Sequence, residues 1–208
     1  MYLSGVENTK MKYTYYEVLH ENSRLYKNIQ KHIVLDKNDK EFIRSMFSVK
    51  KFHRGDLLLK QGQLCRKLFF VESGSLRAFN LSENAKEATI MFAVDDWWIT
   101  DMYCFANQKP SMVSLETLED SIVVIIDFDQ FEILLQRLPK FERFFRILFQ
   151  NAYAREQLRI LNTIALTTEQ RYCQFVIKYP QIAEKVTQKQ IASYLGVTPE
   201  FLSSVKKK

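Results

Sequence analysis

The sequence predicts an α+β chain, with an antiparallel roll of short strands flanked by helices and a compact helical C-terminal unit. Three observations carry this. Apolar residues recur at threes and fours over 13–47 and again from Asp129 onward. Between Val49 and Asp127 they fall instead in short extended runs broken at Gly55, Gly62 and Gly74. Finally, TQKQIASYLGVTPEFLSSVKKK reads as two short helices about one glycine.

Taken in order, residues 1–12 are polar and expected to be loose, with Met11 an alternative start. Leu25, Ile29 and Ile33, then Phe42, Ile43 and Met46, mark helical segments, the second capped by Asp36. KKFHRGDLLLKQG, KLFFVESGSLRAFNL, EATIMFAV, VSLETLE and SIVVIIDF each read as strand, which suggests a sandwich or jelly roll. Asp129 is placed to cap a short helix, FEILLQRL, that ends near Pro139. A long helix then runs from Lys140 to about Ala165, with Phe141, Phe144, Phe145, Leu148, Ala152, Leu158 and Leu161 along one broad side. That side either packs on the chain's own roll, pairs with a second copy, or does both. Three short helices follow, started by Thr167 with Gln170, Thr187 with Gln190, and Thr198 before Pro199. The working division is 1–137, 138–165 and 166–208.

Composition narrows the function. The 208 residues are 47% hydrophobic and 26% charged, as in a globular protein, and the net charge of +6 leans towards an acidic partner. Cys65, Cys104 and Cys173 are widely spaced with no CxxC, which argues for buried reduced thiols and against a disulfide framework, zinc or an iron–sulfur cluster. The start lacks a signal-peptide pattern, and the longest aliphatic run, Ile122–Ile126, is too short for a bilayer. A cytoplasmic protein without membrane contact is expected. His53 is the only histidine within the roll, so a metal-dependent jelly-roll enzyme is disfavoured.

The C-terminal motif carries the clearest chemistry. Ile191, Ala192 and Leu195 form an inward face, Gly196 makes the turn, Val197 fills the corner, and Leu202 and Val205 face back from the second helix. In such a unit the second helix enters the DNA major groove and its first residues touch base edges. Together, RGDLLLKQG, LFFVESGSLRAF, a long helix, LTTEQRYCQFV and QKQIASYLGVTPEFLS resemble the cyclic-AMP receptor protein/FNR (CRP/FNR) family of bacterial transcription regulators, over roughly residues 40–208.

The resemblance implies a cyclic-nucleotide-binding-like roll, a homodimer joined by the long helix through the seven residues named above, and two-fold duplex DNA as partner. RNA polymerase is a further partner that it implies. Gln188, Thr198, Pro199, Glu200, Ser203, Ser204, Lys206 and Lys207 map to the DNA-facing positions, with Ser203 and Ser204 standing where an arginine is common. The β-wing that usually follows is absent or truncated at Lys208.

In nucleotide-binding members, a Gly-Glu pair and a later Arg hold the ribose and the cyclic phosphate. Thr100, Asp101, Ser111 and Met112 occupy those positions, with no cation at Ser111. Register along the long helix places Glu156 and Gln157 at the family's ligand-touching positions. An unpaired, desolvated phosphate is costly, so cyclic AMP is not expected to bind in the usual way, and no cofactor is predicted. Trp97, Trp98, Met102, Tyr103 and Phe105 either fill the space themselves or line a pocket for another effector. The leading reading is a DNA-binding regulator. The alternative is a small-molecule-binding roll whose helical tail makes only protein contacts.

Overall fold

The structure is a computed structural model and describes residues 14–16, 19–20 and 22–206. The expected loose start over 1–12 lies outside them. One antiparallel sheet comprises β1 (Thr14–Tyr16), β2 (Ser48–Phe52), β4 (Lys67–Ser73), β7 (Trp98–Ile99) and β9 (Ser121–Asp127), in the order β1-β2-β9-β4-β7. The other comprises β3 (Leu57–Leu59), β5 (Ser75–Leu81), β6 (Glu87–Val94) and β8 (Ser114–Thr117), in the order β3-β8-β5-β6. Helices α1 (Arg24–Gln30) and α2 (Lys37–Met46) precede the roll, and α3 (Met102–Asn107) interrupts it. After the roll come α4 (Phe128–Arg137), α5 (Lys140–Ala165), α6 (Thr168–Lys178), α7 (Pro180–Lys185), α8 (Gln188–Leu195) and α9 (Pro199–Lys206).

Two long extended runs each become two strands. The chain leaves one sheet for the other at Gly74, where φ is +110° and the N–H donates to the Asp95 carboxylate at 2.7 Å. Only glycine adopts such a backbone without strain. Three expectations need correction. Residues 14–16, read as helical, pair with β2 (Tyr15 opposite Lys50), because an open strand edge supplies partners that a helical period does not reveal. The cap residue of α4 is Asp127, not Asp129: β9 runs straight into the helix, and the Gln130 side chain accepts from the Asp127 N–H at 3.2 Å. Asp129 instead meets Arg66 at 2.6 Å. Four short helices, not three, close the chain, the extra one being α7, which starts at Pro180.

Three other helices start where the sequence marks them. Asp36 caps α2 by accepting from the Asp39 N–H at 2.8 Å, and Asp39 reciprocates. Thr167 with Gln170 and Thr187 with Gln190 form capping boxes.

The long helix has two halves of different character. Phe141, Phe144 and Phe145 are buried in the roll's own core, where Phe145 meets Phe131 at 4.8 Å and Trp98 at 5.7 Å between ring centroids. Their assignment to a dimer surface is therefore wrong, because the roll's open end takes up the aromatic face first. Leu148 is half-buried against the same core. Farther along, Tyr153, Leu158, Ile160, Leu161 and Ile164 are exposed, Ile164 at 80%.

Lys140, in the first turn of α5, pairs with the Asp39 carboxylate. Burial by itself would raise the Asp39 pKa, but the Lys140 ammonium and the Asp36 N–H outweigh it and hold the carboxyl below its usual range. A depressed carboxyl contributes stability above its unfolded pKa, and that contribution disappears as pH falls through the folded value. Lys140→Met is expected to cost roughly 1–2 kcal/mol at neutral pH. This is less than for a fully buried pair, since the lysine is partly solvated. The difference from wild type should shrink in acid, as Asp39 protonates, and urea titrations at several pH values would check this.

The C-terminal helices dock on the outer side of the second sheet. Phe92, on β6, lies in their core with Phe175, Ile182, Val186, Ile191, Ala192, Leu195 and Leu202. Strand β6 is an edge, and α8 covers it. The Ser193 hydroxyl accepts from the Thr89 N–H and donates to the Glu87 carbonyl, both at 2.8 Å. Backbone groups that a free edge would expose are thereby satisfied. Lys185 adds an ion pair with Glu119 at 2.6 Å.

Candidate functional site

Two features of the chain are candidates for recognition. The first is the α8–α9 pair. Gly196 ends α8 at φ +71°, Val197 donates back to the Ala192 carbonyl at 2.9 Å, and the Thr198 hydroxyl caps α9 by accepting from the Phe201 N–H at 3.2 Å. The fully buried Ala192 and Leu202 sit in the small core that holds the two helices together. On the outer side, Gln188, Thr198, Glu200 and Ser204 are exposed, Pro199 and Ser203 are half-buried, and Phe201 is 51% exposed.

The second feature is the loop of residues 97–112. Trp98 points into the core, and its indole N–H donates to Asn28 at 3.0 Å. Trp97 turns the other way and packs edge-on against Tyr179 at 5.6 Å, with the Arg155 guanidinium 4.9 Å over its ring. Trp97 immediately precedes β7, and successive residues of extended chain face opposite sides, which explains the split. Asp101 caps α3 by accepting from the Cys104 N–H at 3.2 Å. Its other oxygen accepts from the Met112 N–H at 2.8 Å and the Ser111 hydroxyl at 3.1 Å. Ser111 is itself buried, and its backbone pairs with Gly62 and Gln63 at 2.8 and 2.7 Å.

Residues 49–138 match the model of the cyclic nucleotide-binding domain. The chain is 24% identical over 165 residues to the anaerobic regulatory protein of Pasteurella multocida, covering 74% of this chain and 60% of that one. It is also 24% identical to the fumarate and nitrate reduction regulatory protein of Vibrio cholerae, over 74% of this chain and 65% of the relative. By these matches the chain is similar to regulators of the CRP/FNR family. The matched length is less than two thirds of either relative. Among solved structures, the Xanthomonas campestris regulator CLP superposes with a TM-score of 0.67 at 16% identity, over 83% of this chain and 90% of that one. FixK2 of Bradyrhizobium japonicum superposes at 0.68 and 13% identity, over 77% and 83%. At such identities these two establish the fold alone.

Against the family's nucleotide cassette, the Asp101 carboxylate is committed within its own loop, where it satisfies three donors. Although Asp101 stands where the family's ribose-binding Glu does, it offers no free acceptor to a ribose hydroxyl. The nearest cation in sequence, Lys109, engages the Tyr103 hydroxyl at 3.1 Å. Asp101→Ala would strand the buried Cys104 amide and the part-buried Met112 amide, and a loss of about 1–3 kcal/mol is expected. Thermal unfolding, with hydrogen exchange at those two amides, checks it.

The nine proposed pocket residues do not converge. Trp98, Thr100 and Met102 border a cleft of about 240 Å³ that α5 closes with Leu148, Phe149 and Ala152. Thr100 donates to the Lys67 carbonyl at 2.7 Å. Asp101 and Ser111 are buried in their latch, while Tyr103 and Met112 are exposed. Gln157 is exposed and donates to the Tyr153 hydroxyl at 3.0 Å. Glu156 pairs with Arg159 at 2.8 Å and lines a different cleft, at the joint of roll, long helix and C-terminal helices. Trp97, Arg155, Arg171, Lys178, Tyr179 and Tyr194 share that joint, and sequence reasoning missed it because they come from four separate segments.

The cysteines differ too. Cys65 and Cys104 are buried, and burial pushes both thiols up, whereas Cys173 is exposed, contrary to expectation. Burial, with Tyr179 nearby, pushes the Tyr194 phenol up to about 12. Among the described residues no helix is long and apolar enough to cross a membrane.

Proposed function

We propose that the chain is a sequence-specific, duplex-DNA-binding transcription regulator of the CRP/FNR type that does not use cyclic AMP as its switch. The observation that carries the reading is the α8–α9 pair, a glycine-turned, threonine-capped unit whose second helix presents its first turn to solvent. In the proposed complex, α9 enters the major groove. Glu200 accepts from a cytosine amine, and Ser203 and Ser204 donate or accept at base edges. Gln188 and Thr198, at the two helix starts, approach phosphates, and Pro199 fixes the first turn of α9. Phe201, not singled out from the sequence, is placed to meet a thymine methyl. Lys206 closes the α9 backbone, but its side chain and all of Lys207 lie outside the described residues.

A second copy is the proposed partner along the distal half of α5, where Leu158 and Leu161 stand with Tyr153, Ile160 and Ile164. Exposed apolar residues at this spacing favour a paired helix. The half-buried Ala152 flanks the same face. The working parts are then the roll with its preceding helices (1–137), the long helix (138–165) and the helix-turn-helix unit (166–208). RNA polymerase is the further partner the family suggests.

Selection of duplexes from a random pool, at two salt concentrations and with or without cyclic AMP, tests this reading. The expected result is a two-fold motif weakened by salt and indifferent to the nucleotide. No enrichment at either salt would favour a binding module whose helices contact protein only.

A further inference from the structure

A cleft lies at the joint of roll, long helix and C-terminal helices. It lies between β6, Trp97, the distal part of α5, α6 and α8, and holds about 100 Å³. Its charge is one-sided. Arg155, Arg159, Arg171 and Lys178 stand there against the single carboxylate of Glu156, and Arg159 already pairs with that group. Arg155, Arg171 and Lys178 have no carboxylate partner among the described residues. Arg171 is further constrained. One terminal nitrogen donates to the Leu195 carbonyl at 2.8 Å and the other to Thr168 at 3.2 Å, yet its Nε is buried with no acceptor. A buried donor without a partner is unfavourable, and the guanidinium that carries it has no carboxylate to offset its charge among the described residues.

The walls supply the second half of the chemistry. Trp97, Tyr179, Phe175 and Tyr194 line the space, with Phe175 and Tyr194 in contact at 5.4 Å. Guanidinium planes and aromatic rings alternate there: Arg155 lies over Trp97, and Arg159 lies 5.8 Å over Tyr194. Such surfaces accept a flat ring and a negative charge together. The volume limits the size: an apolar cavity of roughly 150 Å³ encloses benzene, so a cleft of about 100 Å³ that opens to solvent seats at most one ring, with its edge projecting outward, and not a nucleotide.

We propose that this cleft binds a small planar aromatic anion, a single ring bearing a carboxylate or similar oxyanion, and that the bound molecule braces the C-terminal helices against the roll. The site is separate from the cassette around Asp101 and does not require that the chain bind DNA. Its walls come from all three parts of the chain, so occupancy ties their positions together.

Calorimetric titration of the full chain tests the proposal, with salicylate as probe and neutral benzamide and acetate as comparisons. The expected result is saturable one-to-one binding of salicylate, with benzamide and acetate at least about tenfold weaker. Arg155→Met and Arg171→Met should each weaken salicylate about tenfold, while Lys60→Met, remote from the cleft, should leave it unchanged. Arg171 also holds the Leu195 carbonyl, so if its variant fails to fold, Arg155→Met decides. Non-saturable binding, equal affinity for benzamide, or an unchanged Arg155→Met titration would each overturn the proposal.

Discussion

Substituting alanine for Gly74 is expected to lower the stability of the whole roll by roughly 3–5 kcal/mol, the sum of backbone strain and overpacking. A Cβ built there falls 2.2 Å from the Ser121 hydroxyl and 2.9 Å from the Ser121 Cα, so a side-chain rotation cannot relieve the clash. The φ of +110° adds strain for any residue with a side chain. The same turn joins β4 to β5, which lie in different sheets, so shifting it disturbs both. Thermal and urea midpoints measure the effect. A variant within about 1 kcal/mol of wild type would mean that the β8–β9 connection gives way freely. Gly55 and Gly62 offer a contrast. Both have positive φ, but nothing lies within 4 Å of an added Cβ, so only the smaller conformational cost is expected there.

Truncating Phe92 to alanine is expected to have an effect of similar size but a different distribution. Phe92 is 4% exposed and meets Tyr194 at 5.4 Å and Phe175 at 6.1 Å between ring centroids. It belongs to the roll by sequence and to the C-terminal core by contact. Loss of such a ring costs about 3–5 kcal/mol, and here the cost falls on the docking of α6 to α9. The roll should remain folded while the C-terminal helices separate from it, giving two unfolding transitions and early proteolysis between residues 166 and 187. A single shifted transition would show that the two units share more than this contact. The Ser193 bridge to β6 and the Lys185–Glu119 pair act in the same direction, but the ion pair is more than a third exposed and contributes little.

How much was legible in the sequence depended on the range of the physics involved. Caps at Asp36, Thr167, Thr187 and Thr198 are local chemistry, readable from residue types three apart, and each is found where expected. The helix-turn-helix follows from the same kind of information, because a glycine, a small residue and a cap act within a few residues of one another. The missed strand at 14–16 shows the limit. Its partner, Lys50, is far along the chain, and nothing near Tyr15 announces it. The aromatic run of α5 shows another. Phe141, Phe144 and Phe145 read equally well as a dimer surface or as core, since periodicity gives a face but not what covers it.

The segment WWITDMYCFANQKPSM divides along the same line. By itself the sequence determined that no cation stands at Ser111 and that an acid stands at Asp101. Those are statements about composition at a position, and the first already weighs against a cyclic phosphate. Only the tertiary structure decided that Asp101 is consumed by Cys104, Ser111 and Met112, that Trp98 fills the core, and that Trp97 faces a cationic cleft shared with α5, α6 and α8. Local sequence dictates caps, turns and periods because those interactions are made between near neighbours. A pocket is made of groups brought together from distant segments, and packing alone determines which of them meet.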